Sequence, residues 1–583
     1  MSAVRITDLV AARTSAPPGS LLAVDVHLRL TEAARVTVAV DLLDVATPVA
    51  TRLVTLALAA GPHVRRFRLR LPTAERRGYG LRATVTWPGG RSAREAAVEA
   101  IAGWWESPRH VALTTFRRAA DAPRQVAAAR RWNVTVAQAY DWMYRHYRYA
   151  APEEPFVDAL GRRVSHAAVR ELVRAGHRAG IATLAYGAVY GAEAEHVARH
   201  PDERVFDEAG EPLSLGGVFF INDLRPASPW RRRLLREYAS ACRRLGFDGI
   251  HMDTYGPPHE ARAADGERIR FADVYPGLIA EAAARVAAGG GHRRVIFNCV
   301  EGFPLEAVAR APVAALYLEL WPPDDRYADL VAWIERAQAA GGGRAVVIAA
   351  YVPALRDAGR DPIHRAAAGE TAVLLSTVIT AAGASHHGLA DGDRVLVDGY
   401  YPDAVRPDPR TLRELRAAWV FGARYLHLLS DPAARLAPLD GVDLRDEAGR
   451  PVPLAAAPRA GAAWARVTET PVGRVLSIVD LRTQLDDRWT AERQRPVTAR
   501  GWSLRWEGAA APVAMSPWSR AGRRRRSRPG AGPGASRRSA AGSSSTIRHR
   551  PSGAASGREG QRRRPPEPRG RGNRPARAAV SGP

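Results

Sequence analysis

Between residues 109 and 430 the chain alternates short apolar runs with longer helical patterns, and this rhythm constrains the fold more than any other feature. Candidate strands fall at 110–115, 133–139, 181–187, 248–252, 294–298, 314–318, 345–350 and 382–386. Helical periodicity marks 165–178, 228–245, 273–288, 326–339, 363–380 and 408–428. Parallel strands need a crossover on one face of the sheet, so strand–helix alternation is the signature of a parallel sheet. Eight such strands over about 320 residues predict a (β/α)8 (TIM) barrel with insertions. A doubly wound open sheet is the alternative, but no glycine-rich dinucleotide loop follows an early strand.

The flanks read differently. Leu21–Leu28, Arg35–Leu42, His63–Leu71 and Gly78–Trp87 largely alternate apolar and polar residues between turns rich in Gly, Pro and Thr. That pattern predicts a small antiparallel sandwich over residues 1–105. Strand-like pieces return after the barrel (106–430), at Ala463–Val467 and Arg474–Leu481, and predict a C-terminal β domain over 431–518. The chain is therefore expected to be a multidomain α/β protein.

Charge separates a fourth segment. All 85 basic residues are arginine, and the formal net charge is +25. From Arg520 to Pro583 there are 18 arginines against two acids, a net of +16, which leaves only +9 for the rest. This tail (519–583) has no Leu, Phe, Tyr, Trp or Asp and is too poor in apolar side chains to offset its chain entropy, so it is expected to be disordered. A shifted reading frame in GC-rich DNA yields the same composition. The expectation is a frameshift after Trp518 that truncates the C-terminal β domain. Two cysteines, Cys242 and Cys299, exclude a disulfide framework and a multi-cysteine metal site. No run of 18 apolar residues occurs, so no membrane-spanning helix is expected. Met1 to Asp8 contains no basic, then apolar, leader, and the chain as written is expected to be cytoplasmic, or secreted if translation starts elsewhere.

In barrels of this kind the reacting groups sit where strands end and loops begin. Those positions hold Tyr140-Asp141-Trp142-Met143-Tyr144-Arg145-His146, then Tyr186 and Tyr190, then His251 and Asp253, Asn298, and finally Glu319 with Trp321. Asp253 and Glu319 end strands separated by one other, so their backbones are expected about 10 Å apart, twice the strand spacing. Inward-leaning carboxyls can then approach the roughly 5–5.5 Å of a retaining glycosidase. Asp253, beside His251, is expected to stay charged. Glu319, flanked by Leu318, Leu320 and Trp321, is expected to have its pKa raised by desolvation. A lone acid at a strand end is more often a helix cap or loop charge; two acids amid Trp142, His251, Asn298 and Trp321 weigh toward a site. Trp104, Trp105 and Trp230 read as packing residues, and Asp391 and Asp393 as turn residues. His386-His387 lack a third ligand at a metal spacing, so a hydrogen-bonding or structural role is expected and no metal or other cofactor.

At these strand ends the sequence resembles glycoside hydrolase family 66, the family of dextranases and cycloisomaltooligosaccharide glucanotransferases. Tyr140 to His146, Gly246 to Gly256 and Tyr317-Leu318-Glu319-Leu320-Trp321 carry the resemblance, which continues through Tyr400-Tyr401-Pro402. It implies an immunoglobulin-like β-sandwich before the barrel, Asp253 as nucleophile and Glu319 as acid/base. It also implies a sugar-binding shell containing Tyr140, Asp141, His251 and Asn298, to which the strand-end positions add Trp142, Arg145, His146, Tyr186, Tyr190, Trp321 and His386 as candidates. The implied activity is internal hydrolysis of α-1,6-glucan with retention, through a covalent glycosyl-aspartate and without a metal. His386-His387-Gly388-Leu389 departs from the family, which is expected to carry an acid after the histidine. No large carbohydrate-binding insertion interrupts the barrel, which favours hydrolysis over cyclising transfer.

The expected partner is an α-glucan polysaccharide or oligosaccharide, and the protein is expected to be a monomer without membrane contacts. Other readings are a carbohydrate-binding protein without turnover, a transglycosylase making cyclic isomaltooligosaccharides, and a nucleic-acid binder. The last would act only nonspecifically through the arginine tail, which lacks a stacking platform.

Overall fold

A computed structural model describes residues 3–493 and 502–507. The tail and the end of the expected C-terminal β domain lie outside these described residues.

Residues 4–100 form two facing sheets. One contains Val4–Ala11, Leu21–Leu30 and Gly61–Arg70; the other contains Ser15–Ala16, Gly90–Ala100, Arg77–Trp87, Ala34–Asp44 and Thr47–Leu58. Alternation along Leu21–Leu30 and Ala34–Asp44 turns Val24, Val26, Leu28, Val36, Val38 and Val40 into a shared core. The sequence reading missed Gly90–Ala100. Its first half, Gly-Arg-Ser-Ala-Arg-Glu, is exposed, and only its end is buried.

The central sheet follows the predicted order. Strands β1 (His110–Leu113), β2 (Val136–Ala139), β3 (Ala182–Ala188), β4 (Gly249–Asp253), β5 (Arg294–Val300), β6 (Leu316–Glu319), β7 (Val346–Ala349) and β8 (Ser385–His387) pair in sequence, all parallel. Just past β8, Ala390 pairs in parallel with Ala112 of β1, so the sheet curls back on itself into a barrel-like domain. The main helices between the strands are α1 (Ala122–Arg130), α2 (His166–Ala179), α3 (Pro229–Leu245), α4 (Phe271–Ala287), α5 (Leu305–Ala309), α6 (Tyr327–Ala340) and α7 (Pro362–Ala381). Local chemistry sets their ends. Ser165 caps α2 by accepting from Ala168 N–H, and Gly180 closes it at φ +73°, where a Cβ is unfavourable. Strand β8 starts three residues later than predicted because α7 and its C-cap occupy the chain through Ala382.

Glycine lets β4 and β5 approach. A Cβ on Gly249 would lie 1.7 Å from the Arg294 carbonyl oxygen, so this position tolerates no other residue without moving a strand that ends at Asp253.

The sandwich packs against the barrel domain through α8 (Pro409–Arg424) and the segment that leads into β1. Helix α8 packs on Arg77–Trp87 so closely that a Cβ on Gly78 would meet the Ala423 carbonyl at 2.0 Å. A fully buried carboxylate, Glu99, pairs with Arg109 Nε at 2.8 Å and accepts from Ser107 Oγ at 2.8 Å. After α8, Ala463–Thr470 is the central strand of a further sheet and pairs along its whole length with Gly473–Asp480, and Trp464 and Trp489 join the barrel's hydrophobic core. Replacing Arg109 with alanine leaves Glu99 buried and unpaired; denaturant unfolding is expected to show a loss of about 3–5 kcal/mol.

Candidate active site

Three consecutive strands of the sheet carry Asp253, Asn298 and Glu319: Asp253 and Glu319 end β4 and β6, and Asn298 stands two residues before the end of β5. Asn298 lies between the acids in space, and its side-chain nitrogen joins them. Nδ2 donates to Asp253 Oδ1 at 2.7 Å and to Glu319 Oε2 at 2.5 Å. Those two oxygens are thus no more than 5.2 Å apart, the sum of the two bonds. An amide nitrogen carries two hydrogens, and here each faces one carboxyl. The Asn298 Oδ1 atom points away and has no partner among the described residues.

Glu319, 8% exposed, receives two further donors: Tyr351 Oη at 2.8 Å and Trp321 Nε1 at 3.1 Å, both on Oε1. Asp253 is only partly buried and accepts from Tyr186 as well as Asn298. Burial raises the pKa of both carboxyls; for Asp253 the negative charge of Glu319 adds to the rise, while the donors oppose it. Two carboxyls this close in a low-dielectric pocket resist double ionisation, so the pair is built to hold one proton between them.

This corrects the expected electrostatics. His251 lies two residues before Asp253 on the same face of β4, one layer deeper, among His110 and Tyr317. Burial there pushes its pKa well below the ordinary value, so it is neutral and lends Asp253 no charge. Trp321 does not merely desolvate Glu319, since its ring N–H bonds to the carboxylate.

Other predicted residues divide. Tyr140 stands at the site, its ring 5.0 Å from Tyr186 and 4.5 Å from Tyr401, its hydroxyl on the Gly399 carbonyl at 3.2 Å. Asp141 turns the chain after β2 at φ +46° and sits buried against Arg162 at 3.5 Å and His146 Nε2 at 3.8 Å. For His146 burial opposes the charged form, but the hydrogen bond and charge of Glu193 outweigh it and raise the pKa. Tyr190 supports the turn after Asp253 by accepting from Tyr255 N–H at 2.7 Å.

Three predicted shell residues are elsewhere. Trp142 is 1% exposed and packs against Tyr149, His166 and Phe247, with its N–H on the Tyr186 carbonyl. Arg145 lies over the Tyr144 ring and bonds the Val157 carbonyl, away from the carboxyl pair. His386 spends both ring nitrogens on Ser376 Oγ (2.7 Å) and the Ala350 carbonyl (3.0 Å). Its neighbour His387 takes the inward face instead, with Nδ1 2.6 Å from Tyr317 Oη. Strand alternation sends adjacent residues to opposite faces, and the expected strand, which ends at 386, does not decide between these two. Tyr351 was missed; its signal was its place just beyond the predicted strand at 345–350. Among the described residues no group of His, Cys, Asp or Glu is placed to hold a metal ion, and no helix is long and apolar enough to cross a membrane.

Paired carboxyls, one buried and one partly buried, at the strand ends of a barrel-like parallel sheet are the equipment of an enzyme that cleaves or transfers glycosyl groups. The chain belongs to glycosyl hydrolase family 66, whose defining sequence pattern matches residues 15–509. Two curated relatives from Niallia circulans, each named cycloisomaltooligosaccharide glucanotransferase, are similar at 24% identity. One match covers 49% of this chain and 32% of the relative; the other covers 44% and 29%. The matched region is thus about a third of the relatives' length. A solved structure of a Paenibacillus sp. cycloisomaltooligosaccharide glucanotransferase complexed with cycloisomaltoheptaose has the same fold. Its TM-score is 0.80 at 17% identity, covering 90% of this chain and 96% of that one.

If Glu319 is the charge that raises Asp253, then Glu319→Gln lowers the titration of Asp253 toward the ordinary carboxylate range. Infrared difference titration of the carboxyl band checks this; an unmoved midpoint would leave burial as the sole cause.

Proposed function

We propose that the protein cleaves α-1,6-linked glucan internally with retention of configuration. The observation that carries this reading is the Asn298 bridge, which holds two carboxyl oxygens within 5.2 Å of each other. Retaining enzymes space their carboxyls by roughly 5–5.5 Å, whereas inverting enzymes need roughly 6.5–9.5 Å to admit a water.

In this mechanism the one proton that the pair shares sits on Glu319 once the sugar is bound, and an ionised Asp253 oxygen attacks the anomeric carbon as Glu319 gives that proton to the departing glycosidic oxygen. The C–O bond breaks and a glycosyl-aspartate ester forms. Glu319, now ionised, takes a proton from the incoming water, whose oxygen attacks the same carbon and releases Asp253. Asn298 donates to whichever carboxyl bears the charge in each half, so no group has to move between the steps. Tyr140, Tyr186, Tyr400 and Tyr401 supply ring surface for the sugar, and the immunoglobulin-like reading of the sandwich belongs to the same proposal.

A second reading has a specific observation behind it. The curated relatives are named glucanotransferases, and a sugar 6-hydroxyl entering in place of water would convert the same intermediate into a transfer product. Hydrolysis is preferred because no domain-sized insertion separates the barrel strands among the described residues.

Incubation with dextran, followed by chromatography and by NMR of the first products, is expected to give linear isomaltooligosaccharides with α-anomeric ends. Asp253→Asn and Glu319→Gln are each expected to lower kcat by at least about 100-fold without changing the fold. Wild-type turnover in either variant would overturn the assignment, and predominantly cyclic products would turn the reading to transfer.

A further inference from the structure

Below the carboxyl pair the barrel interior packs the branched apolar side chains usual in such barrels, among them Leu184, Ile296 and Val347, and also a run of buried polar groups. Four buried groups connect there. Tyr351 Oη bonds Glu319 Oε1 at 2.8 Å and lies 3.3 Å from Tyr401 Oη. Tyr401 Oη lies 3.5 Å from Tyr317 Oη, and Tyr317 Oη lies 2.6 Å from His387 Nδ1. All four side chains are at most 5% exposed. They come from four separate places: β6, the end of β7, β8 and the turn Tyr401–Asp403.

We propose that Tyr351, Tyr401, Tyr317 and His387 form one aligned hydrogen-bond chain that sets the proton affinity of the Glu319 carboxyl. The alignment follows from its two ends. An ionised Glu319 can only accept, so Tyr351 donates to it, and its own oxygen is free to accept from Tyr401. Tyr401 in turn accepts from Tyr317, and Tyr317 accepts from His387 with the imidazole proton on Nδ1. His387 Nε2 is then a bare lone pair, and that atom has no partner among the described residues. Aligned donors polarise one another and strengthen the terminal bond to the anion. The two long links both involve Tyr401, the one member carried by a turn rather than a strand or strand end; its ring also faces Tyr140 at the sugar site.

The other groups around Glu319 are accounted for. Asn298 on β5 and Trp321 on its own loop donate to it, while Asp253 on β4 and Glu301 after β5 are like charges. His110 on β1 and His251 on β4 face the far end of the chain. Burial holds both neutral, so no cation competes with the donors.

The proposal concerns the acid/base role given to Glu319 and rests on that reading, but its test does not need turnover. In the Asp253→Asn protein Glu319 titrates without its partner, and infrared difference spectra assigned with Glu319→Gln follow its carboxyl. Tyr351→Phe, which keeps the ring, is expected to raise the midpoint by about one pH unit, the effect of losing one donor to a charged group. Tyr401→Phe is expected to raise it by less, and to add nothing in the Tyr351→Phe background. An unmoved midpoint in Tyr351→Phe overturns the chain, as do shifts that simply add in the double variant. With Asp253 intact, the alkaline limb of the pH–rate profile is expected to move up with the midpoint. A moved midpoint with an unmoved limb keeps the chain and removes Glu319 from the acid/base role.

Discussion

Everything in the site depends on one amide. Asn298 offers two N–H groups from a single nitrogen, and β5 places that nitrogen between the strands that carry the acids. Two strand spacings would leave the acids' backbones about 10 Å apart. Each side chain therefore leans inward, and the shared donor fixes how far. A hydroxyl at this position would offer only one hydrogen, and a carboxylate none. Buried carboxyls this near one another would separate or draw in water unless a donor held both.

That bridge needs a rigid frame, and the frame comes from close packing at the strand starts. Gly249 lets β4 lie against Arg294 of β5, so the register that brings Asp253 beside Asn298 is set four residues earlier. Beneath the acids the sheet encloses His110, His251, Tyr317 and His387 alongside Val136, Leu184, Ile296 and Val347. Unpartnered ring nitrogens in such a place cost stability. Their arrangement makes sense if the interior serves the chemistry above it rather than the packing around it.

Much of this was legible in the sequence. The eight strands stood out because buried parallel strands are short apolar runs between helical patterns, and their ends pointed to Asp253, Asn298 and Glu319. What the sequence obscured follows from two physical causes. The first is the two-residue period of a strand, which makes neighbours face opposite ways. His386 and His387 differ only in which of them falls on the inner face, and an expected strand gone by 386 could not tell them apart. Trp142 similarly follows the left-handed turn at Asp141, which sends its ring outward into the helix layer. The second cause is that contacts made by loops have no period at all. Tyr401 reaches the barrel interior from a turn after β8, and Tyr351 stands just beyond β7, so their meeting at Glu319 has no signature in either segment.

The atom to which the sugar becomes attached identifies the nucleophile. Reaction with a ring-fluorinated, slowly turned-over glucosyl fluoride, followed by protease digestion and mass spectrometry, measures this directly. One glucosyl unit ester-linked to Asp253, absent from the Asp253→Asn protein, is the result predicted. Attachment at another residue, or product formed with inverted configuration and no labelled peptide, would contradict it.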